Sequence, residues 1–535
     1  MSGAVLSVEG LTVSLPKGAD RANAVEDIDL AVAAGEIVCV VGESGSGKSV
    51  TAFTVMGLQD SRALKPVAGR IMMDGEDLLR VGRRRLRKLR GEKMSMIFQE
   101  PMTALNPVAR VGDQIGEMLE IHTDLSASGR KTRVIAAMED VGLPDPASMY
   151  RAFPHQLSGG QRQRIMIAMA LVLEPDLLIA DEPTTALDVT TQAQILDLIK
   201  DIQARRGMGV LFITHDFGVV ADIADRVVVM QHGRIVEQGL AEQVLRAPEH
   251  PYTKMLMEAV PSMTPPEREA ATGAETLVVE GLDKTYGHRG LLGGGRLVHA
   301  AKSVDFALRR GETLGIVGES GSGKSTVARC VMRLIDPTSG RVLLDGRDIA
   351  GLSQGALRPV RRDIQVVFQD PYRSLNPRRN VGQSITEGPV NFGTPQAEAM
   401  ARAEELMRVV GLDPDALERF PHQFSGGQRQ RIAIARALAM QPHVLIADEA
   451  VSALDVSVQA QVLDLLDDVR DRFDLAMLFI THDLRVAAQI CDRILVMRQG
   501  EVVEQGPTAD VYANPQHDYT RALLAAAPGA ARLTV

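Results

Sequence analysis

The octapeptide GESGSGKS occurs twice in this 535-residue chain, at residues 42–49 and 318–325. Each copy is followed, in the same order, by the same four further motifs. QEPMTALNP begins at Gln99, LSGGQRQR at Leu157, LLIADEP at Leu177 and ITHD at Ile213. Their counterparts are QDPYRSLNP at Gln369, FSGGQRQR at Phe424, VLIADEA at Val444 and ITHD at Ile480. Lys48 and Lys324 lie 276 positions apart (324 − 48), and Gln99 and Gln369 lie 270 apart (369 − 99). Ser158/Ser425, Asp181/Asp448 and His215/His482 are each separated by 267 (425 − 158, 448 − 181, 482 − 215). So long a period, held through so many motifs, indicates a duplicated domain and not a solenoid. The expected division is a first domain over 1–262, a linker over 263–275 and a second domain over 276–535. The proline-containing stretch 261–266 marks the seam.

Composition excludes several function classes. Apolar content of 45% and charged content of 24% suit a globular protein, and the length is comfortable for two domains. A net charge of −9 argues against nucleic acid as a partner. The basic run 83–90 reads as a solvated helix face with Leu86 and Leu89 turned inward. No run reaches the roughly 18 apolar residues that span a bilayer, and the N-terminus lacks the basic-then-apolar pattern of a secretory signal. Three cysteines (Cys39, Cys330, Cys491) make neither a disulfide framework nor a C-x-x-C zinc pair, and are expected in the core of a cytosolic protein.

The glycine-rich loops carry the first chemistry. Backbone N–H groups can crowd phosphate oxygens only where side chains do not intervene, and Gly42, Gly45, Gly47, Gly318, Gly321 and Gly323 provide such positions. Ser44 and Ser320 lie within these loops. Lys48 and Lys324 offer a point charge to β- and γ-phosphates, and Ser49 and Ser325 a hydroxyl for Mg²⁺. The following helices, with Thr326 in the first turn of the second, aim N–H groups at the anion. Apolar runs before the loops and before Asp181-Glu182 and Asp448-Glu449 read as strands delivering motifs at their ends. Asp181 and Asp448 suit a Mg²⁺ shell, and Glu182 and Glu449 can polarise an attacking water. His215 and His482, at the ends of apolar strands, can contact a γ-phosphate or position water. Residues 108–154 show helical spacing without clear strands, as in a helical subdomain inserted before the SGGQ element.

Phosphate loop, Gln, SGGQ, Asp-Glu, Leu-Asp and His, in this order, resemble the ATP-binding-cassette ATPases over essentially the whole chain. The resemblance implies an α/β fold: two tandem nucleotide-binding domains, each a P-loop core with a mixed, largely parallel sheet and an inserted helical subdomain. It implies ATP and Mg²⁺ as cofactors, with Gln99 and Gln369 joining the metal shell. It also implies that each SGGQ element serves the other cassette's nucleotide, so that the two cassettes pair within one chain. Lys48, Ser49, Gln99, Asp181, Glu182 and His215 would then work with Ser425, Gly426, Gly427 and Gln428. Lys324, Ser325, Gln369, Asp448, Glu449 and His482 would work with Ser158, Gly159, Gly160 and Gln161. Asp188 and Asp455 match the loop that links the sites. Family members stack adenine on an early aromatic residue, and Tyr286 stands at that place in VEGLDKTY; alignment with VEGLTVSL puts Leu15 opposite it. The first aromatic residue of the chain is Phe53, beyond the first loop.

The LNP sequences after Gln99 and Gln369, the tails EHPYTKMLMEAVP (249–261) and QHDYTRALLAAAP (516–528), and the glycine-rich 290–295 together resemble the oligopeptide, dipeptide and nickel import ATPases. The tails contain no cysteine, so an iron–sulfur site is not expected. The resemblance implies two integral-membrane permease subunits, a solute-binding protein outside the membrane, and a peripheral position on the cytoplasmic face of the inner membrane. Met102, Leu105, Tyr372 and Leu375, in the proline-rich turns, are expected to be exposed toward the permease. Peptide is the expected cargo, with nickel, glutathione or a sugar as alternatives. A two-cassette translation factor is the reading from another class, but the short linker lacks the long charged helix it would need.

Overall fold

In the computed structural model, which describes residues 3–59, 63–185, 187–268, 270–287 and 297–529, two compact units divide the chain at Glu258 and Ala259. The glycine-rich stretch 290–295 lies outside the described residues. In the first unit, alternating burial along β1 (Ala4–Ser14) and β2 (Asn23–Ala33) gives one core-facing side. With β4 (Lys65–Met73) and the short β5 (Glu76–Asp77) they form an antiparallel sheet in the order β2-β1-β4-β5. The continuous apolar runs behave differently. Every residue of β3 (Ile37–Val41), β6 (Met94–Ile97), β7 (Leu177–Asp181) and β8 (Gly209–Ile213) is buried, as expected of strands covered on both faces. With β9 (Arg226–Gln231) and β10 (Arg234–Leu240) they form a six-stranded sheet in the order β10-β9-β3-β8-β7-β6. All its pairings are parallel except β9 with β10.

This order positions the motifs. The adjacent parallel strands β3, β8, β7 and β6 run their C-terminal ends to Gly42, His215, Asp181-Glu182 and Gln99, so four separate stretches of sequence meet at one sheet edge. Between the two sheets a continuous core joins Leu11, Val40, Val55, Ile71, Ile179 and Ile213. Residues 101–171 leave the sheet as helices, including Val111–His122, Ala127–Asp140 and Gly159–Leu171, with no strand among the described residues there; this is the expected helical subdomain.

The basic run forms the helix Arg83–Glu92, broken at Arg90 and Gly91, with Leu89 buried and Leu86 packed on the core. Arg90 has a task the pattern did not reveal. Its guanidinium donates to the carbonyls of Met56 (2.7 Å) and Gly57 (2.6 Å) at the C-terminal end of the helix Lys48–Met56. There a cation meets the negative end of the helix dipole.

The second unit repeats the plan. Its antiparallel sheet is built on Glu275–Tyr286 and Val298–Arg309, and its larger sheet has the same order of equivalent strands around Thr313–Val317. Residues 262–268 lie against this unit. Arg268 pairs with Asp467 at 2.7 Å and donates to the carbonyl of Gln489, and Gln489 donates to the carbonyls of Ser262 and Thr264. All three cysteines are buried free thiols. No helix among the described residues is long and apolar enough to cross a membrane.

Candidate functional site

The phosphate loop between β3 and the helix Lys48–Met56 has a shape that side chains would forbid. Gly42 has φ +145°, and a Cβ there would lie 2.2 Å from the carbonyl oxygen of Met230. Gly318 repeats this at φ +148°, 2.3 Å from Met497. Gly47 and Gly323 end the loops at φ +106° and +110°, as the residues before the helices. Gly45 and Gly321 also have positive φ but face open space, so conformation alone favours glycine there. Ser44 and Ser320 lie in the loops, and Thr326 in the helix Lys324–Val331. Lys48 Nζ donates to the carbonyls of Gly42 (2.5 Å) and Glu43 (3.0 Å), and Lys324 Nζ to those of Gly318 (2.6 Å) and Glu319 (2.8 Å).

A Ser–Asp pair lies beside each lysine. Ser49 Oγ donates to Asp181 Oδ1 at 3.1 Å, and Ser325 Oγ to Asp448 Oδ1 at 3.4 Å. Burial pushes the Asp181 carboxyl up to about 6; the Ser49 hydrogen bond and the Lys48 charge oppose this, while the Glu182 charge adds to it. Asp448 is raised in the same way, by burial and then by Glu449. A buried carboxylate next to a hydroxyl, both hard oxygen donors, fits a Mg²⁺ that takes its remaining ligands from phosphate and water. Among the described residues no group of three or more His, Cys, Asp and Glu could hold a metal by itself.

The next residue along each strand is held by other side chains. Gln99 Nε2 donates to Glu182 Oε2 at 2.9 Å, Thr185 Oγ1 at 3.0 Å, and His215 Nδ1 lies 3.2 Å away. Gln369 donates to Glu449 at 2.8 Å, with His482 Nδ1 at 3.4 Å. Glu182 and Glu449 hold left-handed backbones, φ +46° and +51°, fixed by N–H donation to Ile213 and Ile480. Burial would raise both carboxyls, but the His215 and His482 hydrogen bonds and charges, with Lys48 and Lys324, outweigh it and hold both below the usual range. The structure thus brings Lys48, Ser49, Gln99, Asp181, Glu182 and His215 to one place, and Lys324, Ser325, Gln369, Asp448, Glu449 and His482 to another.

Ser158 and Ser425 start the helices Gly159–Leu171 and Gly426–Leu438 with reciprocal caps. The hydroxyl accepts from the N–H of Gln161 or Gln428, whose side chain accepts from the serine N–H. Thus Gln161 and Gln428 bond to their own serines. The paired glycines differ in purpose. Gly426 faces open space, whereas a Cβ at Gly427 would lie 2.2 Å from Val458 Cγ1; Gly159 and Gly160 differ similarly, with Thr191 Cγ2 at 2.7 Å from a Cβ at Gly160. Asp188 caps the helix Val189–Arg206 through the N–H of Thr191.

One expectation is corrected. Leu105 and Leu375 are each only 2% exposed, so neither can face a partner. The turns carry both side chains inward. Tyr372 is 66% exposed, with the Arg429 guanidinium 3.6 Å from its ring centre. The side chain of Met102 lies outside the described residues. Strand register confirms the alignment at the hairpin ends: Leu15 donates to Ala22 where Tyr286 pairs with Val298. Tyr286 is 40% exposed, with Lys284 Nζ 5.1 Å from its ring centre. Arg21, next to Ala22, donates to the carbonyl of Gly45, a contact with no signal in the sequence.

Comparison with known proteins agrees with this geometry. The family described as ABC transporter matches residues 25–185 and 301–452. The family described as oligopeptide/dipeptide transporter, C-terminal region, matches 236–284 and 503–533. The peptidoglycan transport ATP-binding protein YejF of Agrobacterium fabrum is 48% identical, covering 98% of this chain and 96% of its own. The glutathione import ATP-binding proteins GsiA of Escherichia coli O157:H7 and Salmonella typhimurium are each 47% identical over 98% of this chain, covering 90% and 89% of their own. With its phosphate loops, Asp-Glu strand ends and repeated C-terminal regions, the chain belongs to the ABC transporter family, as an ATP-hydrolysing importer subunit that carries two ATP-binding domains in tandem.

Proposed function

We propose that this protein powers the uptake of short peptides, acting from the cytoplasmic face of the membrane with two permease subunits and an external solute-binding protein. The observation that carries the cargo is the C-terminal region of the oligopeptide/dipeptide type, present after both cassettes. Peptidoglycan and glutathione, the cargoes in the relatives' names, both contain short peptides. Mass spectrometry of the ligand that co-purifies with the cognate solute-binding protein is the test. A range of di- and oligopeptides is expected there; glutathione alone, a sugar or a bare nickel ion would overturn the assignment.

At each site the loop amides and Lys48 or Lys324 would bind the triphosphate of ATP. Ser49 and Asp181, with the Gln99 side chain, would hold Mg²⁺ in the first site, and Ser325, Asp448 and Gln369 in the second. When bound, that ion neutralises charge on the β- and γ-phosphates. Glu182 and Glu449, ionised at neutral pH, would accept a hydrogen bond from the attacking water, and His215 and His482 would hold the carboxylates in orientation. We propose further that Ser158–Gln161 and Ser425–Gln428 each complete the site of the other cassette, on the family resemblance.

The two sites are proposed to hold the adenine differently. Tyr286 offers a ring, and base stacking of this kind is worth about 1–3 kcal/mol. Leu15 offers none, but the planar guanidinium of Arg21 stands at the same hairpin end and can supply part of it. Tyr286→Leu is therefore expected to weaken ATP at the Lys324 site by roughly tenfold or more. Leu15→Tyr is expected to tighten ATP at the Lys48 site by less than that. Nucleotide titrations in proteins carrying Lys48→Ala or Lys324→Ala, which isolate one site, provide the check. Affinities unchanged by both substitutions would remove the asymmetry.

A further inference from the structure

We infer that the C-terminal extensions are working parts of the nucleotide sites: Tyr252 and Tyr519 position the phosphate loops and couple loop occupancy to the extension helices. The inference rests on the reading of the Lys48 and Lys324 loops as ATP sites.

Each extension is fixed to its cassette at two points. Glu237, on β10, accepts the backbone N–H groups of Glu249 (2.8 Å) and His250 (3.1 Å), and the His250 ring accepts that of Tyr252 (3.2 Å). The second copy repeats every bond: Glu504 accepts from Gln516 (2.7 Å) and His517 (3.1 Å), and His517 from Tyr519 (3.1 Å). These caps aim a buried phenol at the phosphate loop. Tyr252 Oη accepts the backbone N–H of Glu43 at 3.1 Å and donates to Glu43 Oε2 at 3.2 Å. Tyr519 Oη accepts the backbone N–H of Glu319 at 3.1 Å.

The contacted residue gives the phenol its leverage. Glu43 follows Gly42, where an added Cβ would lie 2.2 Å from the Met230 carbonyl oxygen. Its N–H is held by Tyr252, and its carbonyl holds Lys48 Nζ. Glu319 likewise lies between Tyr519 and Lys324. A lysine reaching for phosphate must exchange these carbonyls for phosphate oxygens. The tyrosine keeps the peptide in place during that exchange. Without the phenol oxygen, the loop loses the hydrogen bond that ties the Glu43 or Glu319 N–H to the extension. Because binding linkage is reciprocal, a nucleotide that orders the loop must also steady the extension.

The test uses the full chain with Lys324→Ala to isolate the first site, and Tyr252→Phe to remove the oxygen while keeping the ring packed. ATP affinity should fall about five- to tenfold, the worth of one hydrogen bond. Amide exchange across 251–258 should slow on ATP addition in the parent and not in the Tyr252→Phe protein. A purely structural role for the ring would not move this second readout. Tyr519→Phe with Lys48→Ala, read across 518–525, is the independent copy. Affinity within twofold of the parent, or ATP-dependent slowing that survives loss of the phenol, overturns the inference. A parent that binds no ATP would instead overturn the reading of the loop and the inference with it.

Discussion

Replacing Glu182 and Glu449 together by glutamine is expected to abolish steady-state ATP hydrolysis while leaving ATP bound. Glutamine keeps the length and shape of the side chain and can still bond to Gln99 and Thr185, so the site stays assembled. It accepts no proton at neutral pH and loses the charge that draws His215 and His482 to within 3.2 and 3.4 Å of the carboxylates. Loss of a positioned general base costs about 10²–10⁴-fold in rate. Both residues already occupy left-handed backbones, and an unbranched glutamine adds no strain to them. The phosphate-binding residues are untouched, so affinity should hold or rise as the carboxylate's repulsion is removed. Phosphate release and equilibrium binding in the same preparation give the answer. Turnover near that of the parent would end the assignment of both glutamates.

The largest effect outside the strand-end acids is expected at the SGGQ elements. Gly427 is unsuited to the test, because any side chain there collides with Val458 in its own cassette. Gly426 is suited to it, since nothing lies within 4 Å of an added Cβ and its backbone needs no positive φ. Gly426→Asp leaves the cassette packed and puts a carboxylate at the N-terminus of the helix Gly426–Leu438, whose N–H groups are proposed to meet a γ-phosphate. If that element serves the nucleotide on Lys48, hydrolysis should fall about 10²–10³-fold, the scale on which transition-state donors count. Initial ATP binding to the Lys48 loop should be little changed. A Gly426→Asp protein hydrolysing ATP at the parent rate would remove the proposed pairing of cassettes.

Much of this was legible in the sequence because it depends on local pattern. Glycine spacing fixes the loop, apolar runs of four or five residues fix the central strands, and the absence of such runs over 108–154 marks the helical subdomain. Functional side chains at strand ends follow once the strands are placed. What escaped is set by contacts between distant segments. Glu43 and Tyr252 stand 209 residues apart, and Arg90 caps a helix ending 34 residues earlier at Met56. Leu105 and Leu375 misled for a related reason: a leucine in a proline-rich turn reads as exposed, and only the folded chain shows both buried. The two glycines of each SGGQ element look equivalent as letters. Only the neighbouring helix shows that the second is held by packing and the first is left open.

The burial of the three cysteines has a practical consequence. Burial raises every thiol: Cys330 to about 11, despite the opposing charges of Lys284 and Arg333, and Cys39 and Cys491 further still. Thiolate is the species that maleimides and methanethiosulfonates attack, so the folded native chain is close to silent toward them. A single cysteine introduced at an open position such as Val108, 81% exposed on the helical subdomain, would be the one addressable sulfur. Spin labels or fluorophores could then follow the subdomain through the ATP cycle with the native thiols, and the core packing they complete, left intact.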